Sequence, residues 1–332
     1  MNKSSFVGID ISKNTLDIAL CNNTKEYKQY QHLQVTNDVA GFTEMFNFLE
    51  KAGVKLGQTV IGMENTGRYG LELRLFLEKN CVDYCVFKTN ILQCTETEFR
   101  DKTDKLDSQR LAKVTWMFRD TLTYSRLSSS IIRKLQELLG MRKLYKTMAA
   151  TCKQEITESK KTPEEYKYIV AVETKEYLEE RIKDIEERML KLINSDESIS
   201  RNYRLLCSIS GIGMVNAISI IIHTGNFRDI TTARKYASYI GVAPMKRESG
   251  TSVRKRTGVS KRNAVQLKAD LTQAAMSAIQ YDRQMRTYRE RKEAEGKVFG
   301  VMLNAVKFKL LTRMFAVVKR GTPYVDVCQY KS

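Results

Sequence analysis

The hydrophobic period of this chain changes once, near Ser128, and the change limits it to an α/β part followed by a helical part. Before Ser128 the apolar residues come in short runs of period two. In FVGIDIS at 6–12, Val7, Ile9 and Ile11 share one face, and Gly8, Asp10 and Ser12 the other. The turn Lys13-Asn14 leads to a second strand, LDIALCN, and a third follows near YKQYQHLQV. Such close spacing predicts an antiparallel meander. Asn37-Asp38 then offers a cap for an amphipathic helix through Phe42, Met45, Phe46, Phe48 and Leu49. The strand TVIGMEN, the helix LELRLFLEKN and the strand DYCVFK come next, which makes a mixed α/β sheet.

After Ser128 the pattern is helical. Ile131, Leu135, Leu138, Arg142 and Tyr145 mark one mostly apolar stripe. Leu178, Ile182, Ile185, Met189 and Leu192 step by four, three, four and three, a heptad seam. Thr162-Pro163 falls between the stripes as a turn or helix start. The stretch 128–204 is therefore a helical hairpin or coiled-coil arm, whose seam serves packing within one chain or dimerisation. From Leu205 onward, SISGIGMVNAISIII places two glycines before an apolar helix. A helix start in DITTARKYASYIG, an irregular basic segment and helices over 267–279 and 298–318 complete the chain. The expected domains are 1–127, 128–204 and 205–332.

The chain has 332 residues, enough for two domains with cores of their own. Its 56 Lys and Arg against 38 Asp and Glu leave a net charge of +18, which favours a polyanionic partner, nucleic acid before membrane surface. No apolar run has the length of a signal peptide or a membrane span, so a cytoplasmic protein is expected. The seven cysteines are scattered and include no CxxC pair, which argues against structural zinc. Cys81 and Cys85 read as core positions on one face of a strand. With two histidines, acid–base catalysis by imidazole is poorly supplied.

In a chain this basic, carboxylates within apolar strands need a reason. Asp10 lies mid-strand, Glu64 ends a strand that could lie beside it, and Asp104 and Asp107 open a helix on one shared face. Singly they have plain readings: Asp107 as a solvated helix carboxylate, Asp104 as an N-cap. Asp10 is harder to dismiss, because an unpaired carboxylate in an apolar strand is costly. Together they suit a divalent-metal site for phosphodiester chemistry, where hard oxygen ligands hold two Mg²⁺ ions about 3.5–4 Å apart.

The GID strand, the Glu strand and the D-x-x-D helix resemble a RuvC-type, RNase H-like domain. They are similar to the DEDD transposases of the IS one-ten insertion-sequence family, related to Piv invertases. The likeness runs from GIDIS to the AEGKVFG and KRGTPY segments near the end. It implies an α/β N-terminal RuvC-like domain with a mixed sheet, a helical coiled-coil arm and a mainly α-helical C-terminal transposase domain. It also implies Mg²⁺ (or Mn²⁺) on Asp10, Glu64, Asp104 and Asp107. The family's serine, in an S-G pair after an A-P turn, matches IGVAPMKRESGTS and points to Ser249, followed by Gly250. From the residues alone, Thr251, Ser252 and Ser260 compete with it. A serine hydroxyl can attack a DNA phosphate and conserve the bond in a phosphoserine link. One departure is VSKRNAVQLKAD, where Asn263-Ala264 stands in place of an expected glycine.

The GIG turn, Gly211 and Gly213, resembles a helix-hairpin-helix element that offers backbone N–H groups to a phosphate. Lys246, Arg247, Arg254, Lys255, Arg256, Lys261 and Arg262 crowd a short stretch with one acid, Glu248, which suits phosphate contact. Arg68 and Tyr69 follow the Glu64 strand and could touch DNA. On the last helix, Lys307, Lys309, Arg313, Lys319 and Arg320 read as a phosphate-facing side. The resemblance further implies donor and target DNA as partners, a noncoding bridge RNA that pairs with both, a homo-oligomer (dimer or tetramer), no membrane, and a bacterial or archaeal nucleoid-associated protein. Competing readings are a RuvC-like nuclease using water, and a non-catalytic nucleic-acid-binding protein.

Overall fold

The computed structural model describes residues 3–21, 30–87, 103–160, 165–249, 253–259 and 265–325, with backbone alone at 244–249, 253–259 and 265. The chain forms two compact units, Met1–Leu127 and Ser128–Ser332. Among the described residues, no helix is long and apolar enough to cross a membrane.

The first unit is built on strands β1 (Ser5–Ile11), β2 (Thr15–Cys21), β3 (Tyr30–Thr36), β4 (Thr59–Glu64) and β5 (Asp83–Phe87), in the order β3-β2-β1-β4-β5. β1 and β2 pair antiparallel across the short turn, as do β2 and β3, which gives the expected meander. β4 lies parallel to β1, and β5 parallel to β4. Helices α1 (Val39–Lys51) and α2 (Leu71–Lys79) cover one face. Asp38 caps α1 by accepting from the Gly41 N–H at 2.9 Å. Phe42, Met45, Leu49, Leu73 and Leu77 bury Val7, Ile9, Ile11, Ile61 and Met63.

Helix α3 (Asp104–Met117) covers the other face, where Leu111 and Val114 pack on Phe6, Val60, Cys85 and Phe87. Both faces of β1 are thus covered, although its sequence alternates. Gly8 makes this possible. A Cβ there would stand 2.0 Å from the Ser108 carbonyl oxygen and 2.2 Å from the Ala112 nitrogen. Gly62, its register partner on β4, meets Thr115 Oγ1 at 1.8 Å in the same way. Gly8 lets the helix backbone lie directly on β1, and Gly62 makes room for the Thr115 side chain beside it. Cys85 is buried as expected, but Cys81 lies before β5 in a turn with φ 56°, and is exposed.

The second unit begins with α4 (Ser130–Ser159) and α5 (Glu165–Asn194), each about 45 Å long at 1.5 Å per residue. They pack on each other as a hairpin. Leu178, Ile182, Ile185 and Met189 are buried, and Ile193 rather than Leu192 continues the seam. Arg142 Nε donates to Glu186 Oε1 at 2.7 Å across the pair. The seam is therefore used inside the chain. Thr162-Pro163 lies outside the described residues. The roots of the hairpin, Ile132, Leu135, Met189 and Ile193, share one core with α6 (Glu197–Cys207), α7 (Met214–His223), α8 (Ala233–Tyr239), α9 (Val265–Tyr281), α10 (Arg283–Ala294) and α11 (Phe299–Arg320). Strands β6 (Pro244–Ser249) and β7 (Val253–Val259) form an antiparallel hairpin with a bulge between Met245 and Arg247.

Gly8→Ala should loosen the first unit by about 1–3 kcal/mol, the usual cost of forcing volume into a packed contact. Gly140→Ala, in α4 with no atom within 4 Å of the new methyl, should gain about 0.5–1 kcal/mol from helix propensity. Denaturant midpoints of the full chain distinguish the two directions.

Candidate active site

The acid cluster is set by two copies of one local pattern, glycine two residues before an acid. Gly8-Ile9-Asp10 on β1 runs beside Gly62-Met63-Glu64 on β4, with Gly8 paired to Gly62 and Ile9 to Met63. The next step of that register puts Asp10 next to Glu64 at the carboxyl ends of two parallel strands, on the face that α3 covers. Both residues are half-buried. Open α/β sheets bind ligands at this edge.

The same glycines bring in the other two acids. With the middle of α3 held against Gly8 and Gly62, its first turn lies over the end of β1. Thr103, not Asp104, is the N-cap, and its hydroxyl accepts from the Leu106 N–H at 3.3 Å. Asp104 is exposed and Asp107 is half-buried. Arg110 Nη1 holds Asp107 Oδ1 at 2.9 Å. Asp10 Oδ1 accepts from the Ile11 N–H at 3.0 Å. Burial, and then the charges of Asp104, Asp107 and Asp17, push the Asp10 carboxyl up from 3.8 to about 6. Each of these neighbours repels a negative charge on Asp10.

Among the described residues, no three His, Cys, Asp or Glu side chains close around one point. The donor set is nevertheless all carboxylate, and the repulsion at Asp10 is what a divalent cation relieves. A set of oxygen donors of this kind suits a hard cation. Arg68 and Tyr69 are exposed in the loop after β4, which Asn37 Nδ2 fastens by donating to the Tyr69 carbonyl at 3.1 Å.

Asp17 was not singled out by its sequence. It pairs directly with Asp10 across β1 and β2. A signal existed: a turn centred between Lys13 and Asn14 sets residues whose numbers sum to 27 opposite each other.

In the second unit, the segment expected to be irregular forms the β6–β7 hairpin. Ser249 ends β6 and pairs with Val253. Lys246, Arg247, Arg254, Lys255 and Arg256 lie on the two strands. Gly250, Lys261 and Arg262 lie outside the described residues. Gly211 has φ 90° and takes a packing position, since a Cβ there would meet the Ala274 carbonyl oxygen at 2.5 Å. Gly213 caps α7 in the open, with no atom near its would-be Cβ. Serines 208, 210 and 277 line the shallow cleft around this turn. The outward reading of α11 holds for Lys319 and Arg320, which are exposed. It is corrected for two others. Lys307 is buried against the core, and Arg313 pairs with the buried Asp282 and donates to Gln284 Oε1 at 2.8 Å. Lys309 sits 4.2 Å over the Tyr288 ring.

Two family models match the chain. That of the DEDD transposases of IS110 elements covers residues 7–159, and that described as the transposase IS116/IS110/IS902 family covers 203–290. The pilin gene-inverting protein of Moraxella bovis is 25% identical over 332 residues, 96% of this chain and 97% of its own. The protein of that name from Moraxella lacunata has the same identity and coverage. An uncharacterized 43.6 kDa protein of insertion element IS110 from Streptomyces coelicolor is 31% identical over 120 residues, 36% of this chain and 29% of its own.

The raised Asp10 has a consequence for stability in cation-free buffer. The folded state binds its proton more tightly than the unfolded chain, so its contribution is complete below about pH 4 and is lost as pH rises through about 6. Asp10→Asn should match the parent in denaturation midpoint at pH 4 and exceed it above pH 6. Equal midpoints at pH 7 would contradict the repulsion described.

Proposed function

The chain belongs to the IS110 family of transposases and is a DNA recombinase, and from that premise we propose that it cuts and rejoins DNA strands through a covalent phosphoserine link at Ser249, with a divalent cation on its acid cluster. The observation that carries this reading is the meeting of Asp10, Glu64 and the first turn of α3 at one sheet edge. No structural demand of the fold asks for like charges there. The fold of this unit is read as RuvC-like.

Asp10, Glu64, Asp104 and Asp107 would hold Mg²⁺ or Mn²⁺. When bound, the cation neutralises charge that builds on the scissile phosphate and the leaving oxygen. Ser249 Oγ attacks phosphorus, and a serine ester forms as the bond to a deoxyribose oxygen breaks. The proton that the Ser249 hydroxyl gives up is matched by the one the departing oxygen takes, so the exchange is balanced. One phosphoester replaces another, so rejoining needs no outside energy source. Gly250 leaves the backbone free to expose the hydroxyl.

Phosphate grip comes from Lys246, Arg247, Arg254, Lys255, Arg256, Lys261 and Arg262, with Arg68 near the acids. The N–H groups after Gly213 at the start of α7 add a further phosphate contact, with Gly211 shaping the turn. The substrate is duplex DNA at two sites, inverted or transposed, in keeping with the names of the relatives. A noncoding bridge RNA pairs with donor and target and supplies the sequence reading. The domains are read as 1–127, 128–204 and 205–332, the second as a coiled-coil arm. Subunits assemble as a dimer or tetramer. Met141, Leu144 and Met148 form an exposed stripe on α4 outside the hairpin seam, suited to cover by a second copy.

Three results are expected. Ser249→Ala abolishes a protein–DNA adduct that survives denaturing electrophoresis, whereas unchanged cleavage in that variant would favour a water nucleophile. Asp10→Ala and Glu64→Ala each slow strand cleavage by at least about 100-fold, as loss of transition-state charge stabilisation does. Recombination between supplied sites requires the transcript of the element's flanking noncoding DNA, and full activity without RNA would remove the guide from this reading.

A further inference from the structure

The acid cluster is one end of a polar row that crosses the sheet. Gln34 on β3 pairs with Asp17 on β2, Asp17 pairs with Asp10 on β1, and Glu64 on β4 follows in register. Asp17 is only 4% exposed. His32 Nε2 lies 2.8 Å from its Oδ1, and Gln34 Nε2 donates to Oδ2 at 3.0 Å. Both of these partners stand on β3, so the neighbouring strand holds the carboxylate by both of its oxygens. Neither is a lysine or arginine. A buried acid kept for stability is ordinarily paired with a full cation, and like charges directly opposed on neighbouring strands destabilise a sheet. Paired residues on such strands have Cβ atoms only about 4.5–5.5 Å apart. Asp17 therefore stands directly opposite a like-charged Asp10, and the clamp of His32 and Gln34 holds it there.

We propose that Asp17, clamped by His32 and Gln34 opposite Asp10, tunes the cation site: its charge, held in place across the strand pair, raises divalent-cation affinity. The inference rests on the metal-dependent reading above. Asp17 itself holds no cation. It acts by charge on the cation that Asp10 would hold, across the β1–β2 pair.

The test is thermal unfolding of the full chain during Mg²⁺ and Mn²⁺ titration. The parent midpoint should rise with either ion. Asp17→Asn keeps the shape and removes the charge. It should start from a higher midpoint without cation and need about 10-fold more Mg²⁺ for half the rise, the lower end of what changes behind a ligand cost. Equal Mg²⁺ requirements in parent and variant would overturn the proposal and leave the metal reading standing. A parent that responds to neither ion would overturn the metal reading itself, and the proposal with it. Should Asp17→Asn not be recovered folded, His32→Phe removes one arm of the clamp and releases the carboxylate from its place. It should raise the Mg²⁺ requirement by a smaller factor, and an unchanged requirement counts against Asp17.

Discussion

The first unit depends on a helix backbone touching a sheet backbone. Gly8 and Gly62 lie side by side, and a Cβ on either would stand about 2 Å from Ser108 or Thr115. That contact fixes where α3 sits, and hence where Asp104 and Asp107 begin it. The acids do not assemble by attraction, since each repels the others. They are carried into place by the apolar part of the same helix. Fully burying one leucine or valine is worth about 1.5–3 kcal/mol. A pair of like charges 4 Å apart costs about 1 kcal/mol in water and about 4 kcal/mol near a protein surface. Leu111 and Val114, with Phe6, Val60 and Phe87 beneath them, outweigh the repulsion in a half-exposed cluster.

Much of this was legible in the sequence. Element order followed from periodicity, Asp38 from its capping position, and Asp10 from being a carboxylate on an apolar strand. The pairing of Gly62 with Gly8 was not, because glycine leaves no periodic mark and the register between β1 and β4 is set by packing. Asp17 was hidden by its own strand, where alternation made it look like an ordinary outward position. The β6–β7 hairpin escaped notice because VRKRTGV and PMKRES carry charge where a half-buried strand would carry apolar residues. Lys307 and Arg313 were assigned outward by type, but α11 is buried on most of its circumference. Arg313's partner, Asp282, lies 31 residues away, which no local pattern reveals. Ser249 stands out only through family likeness, since its neighbours include three other hydroxyls.

The charge distribution divides the work between binding and chemistry. A cluster of acids repels the DNA phosphate it is meant to act on, so it cannot supply affinity. The surplus of +18 must supply that, through cations that face phosphates at many points and release counterions. Affinity of this kind is indifferent to sequence. The proposed divalent cation would reconcile the two demands. Bound there, it would turn a patch that repels phosphate into one that attracts it. On the proposed metal-dependent reading, an over-negative sheet edge would couple cutting to cation binding: without the cation the acids repel the DNA backbone, and with it the same site would attract it.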